Sequence, residues 1–193
     1  SVTITTATPT ATPTMTSTST PVPTSTATST PTPNISTIRG TVTYGNLVGN
    51  PPIRPVSNVT LNAVGNPNLT ATTNTEGVYT LQGFGLGAYT VVPSKTGDTR
   101  GEVSSFDSGL AARFSAGIIG LTPTQKVVAD VSGDGSINSL DAAYIGRFAV
   151  GSSLEHGSAG TWIFVPVNRM YPSVLNDIFG QDYVALLMGA VSG

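Results

Sequence analysis

The chain has 193 residues, with ten acidic and eight basic side chains for a net charge of −2, and it contains no cysteine. That excludes disulfides, thiolate metal sites and cysteine nucleophiles. The basic residues are scattered, which gives no nucleic-acid surface, and no apolar run is long enough to span a bilayer.

Residues 1–36 are almost entirely Thr, Ser, Pro and Ala, with no charge before Arg39. A stretch so poor in apolar bulk cannot offset its own ordering entropy, so it is expected to be an extended, polyproline-like linker. Thr/Pro-rich tracts of this kind suit O-glycosylated stalks, with Thr10, Thr14, Thr24 and Thr32 as candidate acceptors. Asn34, Asn58 and Asn68 each head an Asn-x-Ser/Thr sequon. The first residues differ from the rest of the tail. Ser1-Val2-Thr3-Ile4-Thr5-Thr6 is β-branched and alternating, which suits a donor strand at 1–7 presenting Val2 and Ile4. The start at Ser1, without Met or a charged-then-apolar leader, is expected of a processed form or a fragment.

Residues 37–95 are expected to form an antiparallel β-sandwich. Ile38 to Tyr44 alternates, and Val59, Leu61 and Ala63 share one face of the next stretch. Leu69–Thr73, Gly77–Leu81 and Gly87–Val92 continue the series between Asn, Gly and Pro turns.

Residues 96–151 carry a duplicated pattern. Gly101-Glu-Val-Ser-Ser-Phe-Asp107 and Gly135-Ser-Ile-Asn-Ser-Leu-Asp141 lie 34 residues apart, and each leads into a helix-like stretch reaching an Arg-Phe pair and then a Gly. Calcium takes six or more oxygens, which a 12-residue loop supplies from positions 1, 3, 5, 7, 9 and 12. Counted from Asp130, those are Asp130, Ser132, Asp134, the Ser136 carbonyl, Asn138 and Asp141, with Gly135 at the sharp turn and Ile137 as apolar anchor. A polar turn before a helix capped by Ser139 explains Gly135 and Ser139 but not three spaced carboxylates. Six of the ten acidic residues lie between Asp98 and Asp141, so the acidity is local, as cation binding requires. The first copy is two residues shorter. Asp98, Ser104 and Asp107 are candidate ligands there, while Arg100 is equally placed to pair with Asp98 or Asp107 and replace the ion.

The doubled pattern over about 97–151, and above all Asp-x-Ser-x-Asp-Gly-Ser-Ile-Asn-Ser-x-Asp followed by Ala-Ala-Tyr-Ile-Gly-Arg, resembles dockerin. That resemblance implies a paired loop-helix module that binds calcium and engages cohesins in extracellular assemblies. Ile-Arg-Gly-Thr-Val, Val-Thr-Leu, Thr-Glu-Gly-Val-Tyr-Thr-Leu and Leu-Gly-Ala-Tyr-Thr-Val, over about 36–94, resemble the carboxypeptidase regulatory-like, transthyretin-type sandwiches of bacterial surface proteins. This second resemblance implies a spacer or stalk. Some of its relatives carry a Lys-Asn crosslink, which is not carried over because neither Lys95 nor Lys126 falls inside a core strand.

After a Gly/Ser-rich bridge, Thr161–Pro166 and Asp182–Gly189 look like strands, the second buried on both faces. Two strands are not stable alone, so residues 152–193 are expected to pack on the sandwich, on the calcium module or on a neighbouring chain. The class expected is mainly β with a small α module.

Catalysis finds little footing. His156 falls in the bridge and reads as a solvated loop residue, since a general base needs a positioned partner. Gly83-x-Gly85-x-Gly87 lies between strands rather than before a helix and reads as a turn. Trp162 reads as core, with a carbohydrate platform as the alternative.

Two functions remain. In the first, the chain is a non-catalytic, glycosylated extracellular subunit that joins copies of itself head to tail, Val2 and Ile4 adding to a neighbour's sheet edge. In the second, it is a dockerin-type adaptor that binds a cohesin-like protein. Calcium is expected in both, and an accessory carbohydrate-binding stalk is a third, weaker class.

Overall fold

The computed structural model describes residues 1–3, 5, 7, 36–47, 53–99 and 101–193. The chain separates into two compact units, 1–32 and 33–193. In the first, Val2 is 92% exposed. Ile4, Thr10, Thr14, Thr24 and Thr32 lie outside the described residues, as do Asn34 and Arg100 of the second unit.

Among the described residues, the second unit has eight strands and three helices. In chain order the strands are β1 (Thr37–Tyr44), β2 (Thr60–Val64), β3 (Leu69–Thr72), β4 (Val78–Gln82), β5 (Tyr89–Ser94), β6 (Trp162–Val165), β7 (Arg169–Tyr171) and β8 (Tyr183–Leu187). They form two four-stranded sheets, ordered β4-β1-β8-β6 and β3-β2-β5-β7. Period-two burial explains the pairing of their faces. Ile38, Val42 and Tyr44 on β1, Leu61 and Ala63 on β2, and Tyr89 and Val91 on β5 all enter one core. The buried Tyr183 hydroxyl donates across that core to the Val91 carbonyl at 3.2 Å.

Residues 37–95 do not complete either sheet. β8 lies between β1 and β6, and β7 continues the other sheet beyond β5. The two sheets are therefore made from both ends of the unit, with the helices inserted between their halves in the sequence. One pairing also departs from the antiparallel expectation. β1 and β8 run parallel, Val42 opposite Tyr183 and Tyr44 opposite Ala185. Parallel neighbours cannot be joined by a tight hairpin and need a long crossover, which here is the rest of the chain. Gly40 makes the approach possible, because a Cβ there would lie 2.3 Å from the Gln181 carbonyl oxygen.

The helices are α1 (Ser105–Ser115), α2 (Pro123–Ala129) and α3 (Ser139–Ala149). α1 and α3, the two repeats, pack on each other, with Ala111 of α1 and Ala142 and Ile145 of α3 buried, and the Ser108 hydroxyl donates to the Ala142 carbonyl at 2.7 Å. α2 was not expected. Its signal is local: a Thr122/Gln125 capping box with Pro at the first turn.

Residues 187–192 tie sheet to helices. The buried Asn46 amide donates to the Leu187 and Ala190 carbonyls at 2.8 and 2.7 Å, and its oxygen accepts from Leu187 N–H at 2.9 Å. Gly189 N–H then donates to the Val128 carbonyl of α2 at 2.7 Å, and the Gln125 amide donates to the Val191 carbonyl at 2.9 Å. Asn46→Ala leaves buried backbone groups unpaired and is expected to cost about 3 kcal/mol. Thermal unfolding followed by circular dichroism should show Tm falling by roughly 6–12 °C.

Candidate metal centre

The loop before α3 folds around its own carboxylates. Asp130 sits at the C-terminus of α2, where one oxygen accepts from Gly133 N–H at 2.9 Å and the other from Gly135 N–H at 3.0 Å. Both glycines have positive φ, +74° and +82°, the left-handed conformation that lets the backbone double back within five residues. Asp134 accepts from Ser136 N–H at 2.8 Å and from the Asn138 amide at 3.0 Å. Asp141, in the first turn of α3, is fully buried. It closes the loop by accepting from Ser132 N–H and Asn138 N–H, each at 2.9 Å.

These bonds bring three acids together. Oxygens of Asp130, Asp134 and Asp141 lie within 4.8 Å of one another, and no ion pair among the described residues gives any of them a basic partner. Three carboxylates at that spacing repel, and a hard cation that accepts several oxygens relieves the repulsion. The donor set fits calcium in kind. Ser132 stays inside the loop, its hydroxyl 3.3 Å from Asp130, and Ile137 packs against the core as the apolar anchor. The Asn138 oxygen accepts from Leu140 N–H at 2.8 Å, so Asn138, not Ser139, caps α3.

The first repeat is wired differently. Asp107 occupies the position of Asp141 and is likewise fully buried. One of its oxygens accepts from the Ser104 N–H and hydroxyl at 2.8 and 2.7 Å. The other accepts from Ser192 N–H at 2.7 Å. Where Asp141 reaches back to the start of its own loop, Asp107 instead holds a segment 85 residues away. Asp98 is exposed and accepts from the Lys95 ammonium at 2.7 Å. That hydrogen bond and charge hold its carboxyl below the usual carboxylate range. Among the described residues, the only cluster of three or more potential acidic, His or Cys ligands is the one in the second loop.

The bridge is more ordered than its composition suggests. His156 is half-buried, its ring 5.2 Å from that of Phe148 in edge contact, which corrects its reading as a solvated residue. Ser158 donates through both N–H and hydroxyl to the Val131 carbonyl at 2.8 and 3.0 Å, pinning the bridge against the metal loop. Asn58 and Asn68 are exposed.

Residues 98–148 match the dockerin type I domain family. The match begins at the first repeat and ends within α3, so it takes in both repeats and leaves the β-sheets outside. No curated protein and no solved structure matches the chain. The chain thus contains a dockerin-like module set within a β-rich body. No helix among the described residues is long and apolar enough to cross a membrane.

Proposed function

We propose that this chain is a non-catalytic adaptor of extracellular protein assembly whose dockerin-like module captures a cohesin in a calcium-dependent manner. The observation that carries the reading is the coincidence of the family match with the loop in which three carboxylates converge. One calcium ion is held by Asp130, Ser132, Asp134, the Ser136 carbonyl, Asn138 and Asp141. It locks the start of α3. Asp98, Ser104 and Asp107 hold no second ion, because Asp107 is satisfied by protein donors and Asp98 by Lys95.

The partner docks on the helix pair. Phe106 and Leu140 occupy equivalent places in the first turns of α1 and α3 and are 60% and 43% exposed. Large apolar side chains at matching positions of a duplicated module suit the centre of a protein interface. The sandwich serves as a rigid mount, and residues 1–36 serve as an O-glycosylated tether. The family match weighs against the head-to-tail filament as the main function, since strand donation by Val2 and Ile4 requires no such module.

The test is capture of the full chain by immobilised cohesins with calcium and with chelator. Retention only in calcium, reduced at least tenfold by Phe106→Ala with Leu140→Ala, is the expected result. Failure of every cohesin tested to retain the wild type in calcium removes the adaptor reading.

A further inference from the structure

A second site lies away from the metal loop, where the end of β1, the segment before β2, the start of the module and β6 meet. It is a pocket of about 140 Å³ whose walls include Tyr44, Arg54, Ser57, Lys95, Glu102 and Trp162. That volume is close to the roughly 150 Å³ cavity that accepts a benzene-sized ring. We propose that this pocket binds a neutral, polyhydroxylated ring of monosaccharide size.

Three observations carry the assignment. Tyr44 is only 6% exposed, and its hydroxyl is buried without a hydrogen-bond partner. An orphaned buried hydroxyl is costly, and a ligand oxygen in the pocket supplies what it lacks. Burial pushes the Tyr44 phenol up to about 12, so at neutral pH it is protonated and able to donate.

The charges of the walls cancel. Arg54 makes a two-point pair with Glu102, and the Lys95 ammonium, on a side chain only 3% exposed, is held by Asp98 and by the Ser57 carbonyl at 2.9 Å. An anion gains no net positive wall here and meets the Glu102 and Asp98 carboxylates as well as the cations. A vicinal diol suits such a wall, because it can donate to the carboxylates while accepting from the guanidinium, the mixed pattern that hydroxyls satisfy.

The aromatic walls are fixed as well as apolar. The Tyr44 and Trp162 rings meet edge to face at 6.0 Å, and Trp162 Nε1–H donates to the Gly97 carbonyl at 2.9 Å. Arg54 lies 4.7 Å over the Tyr44 ring with about half of its side chain in solvent. It is therefore a wall with room to shift as a ligand enters.

The test uses the full chain, whose lone tryptophan is a reporter on the pocket wall. Trp162 emission is followed while D-glucose, D-galactose, D-mannose and D-xylose are added separately, with acetate and sulfate as anionic controls. A saturable shift with at least one sugar, weakened about three- to tenfold by Tyr44→Phe and absent with the anions, is expected. Tyr44→Phe should at the same time leave the ligand-free Tm unchanged or raised, because it deletes an unsatisfied group; a merely structural hydroxyl would lower it. Silence with all four sugars overturns the assignment, as does a sugar response that Tyr44→Phe leaves intact. A saturable response to acetate or sulfate would make the pocket an anion site instead. The proposal does not rest on the adaptor reading, and capture by cohesin tests that separately.

Discussion

Asp107→Ala is expected to lower stability by about 3–5 kcal/mol, equally in calcium and in chelator. The fully buried carboxylate accepts three hydrogen bonds, two from Ser104 and one from Ser192 N–H. Bonds to a charged acceptor are each worth about 1.5–3 kcal/mol, and the partners left behind are penalised as well. Their effects overlap, since Ser104 also caps α1, so the total falls below the simple sum. For a chain of this size the loss corresponds to a fall in Tm of roughly 6–20 °C. Asp107→Asn keeps one acceptor oxygen and should lose less. Asp134→Ala provides the contrast: its carboxylate is exposed, and in chelator it should change stability by no more than about 0.5 kcal/mol. Thermal melts of the three variants in both buffers decide the matter. If Asp107→Ala melts like the wild type in chelator and differs only in calcium, Asp107 is a cation ligand and not the strut that joins α1 to residues 187–192.

The strut shows where the sequence stops being informative. Local order was legible: Val59, Leu61 and Ala63 do share a buried face, because a half-buried strand has to alternate. The 34-residue repeat marked α1 and α3 for a similar reason, since each copy carries its own cap and its own apolar turn. Long-range closure was not legible. Nothing near Val42 signals that Tyr183 will lie parallel beside it, and nothing near Asp107 signals Ser192. β7 escaped because three residues are too few for a period to emerge, and it exists through its pairing with β5. The pocket at Tyr44 escaped for the same physical reason. Trp162 stood out by residue type, but its neighbours are gathered from four separate stretches of chain, and only the fold shows that the Tyr44 hydroxyl among them has no partner.

Calcium should bind once per chain and raise Tm by roughly 5–11 °C at a hundred times its dissociation constant. Ligand that binds only the native state stabilises by RT ln(1 + [L]/Kd), about 2.7 kcal/mol at that ratio, and each kcal/mol shifts Tm by roughly 2–4 °C in chains of this length. The single ion follows from the contrast between the repeats. In the second loop three carboxylates crowd within 4.8 Å with no basic group among the described residues paired to them, so a divalent cation offsets that repulsion. In the first, the equivalent carboxylate is already satisfied by hydrogen-bond donors, and an ion there would have to break them. Chelation should loosen the 130–141 loop and the first turn of α3 without unfolding the body, because Asn46, Gln125 and Asp107 still bind residues 187–192. Isothermal titration should therefore give one site in the wild type and none in Asp134→Ala, with Asp134→Ala also losing the Tm rise. Magnesium at the same concentration should do little, since it holds its waters and demands near-ideal octahedral geometry. A stoichiometry of two would place the second ion on Asp98, Ser104 and Asp107, and would mean that Ser192 gives up Asp107 when calcium arrives.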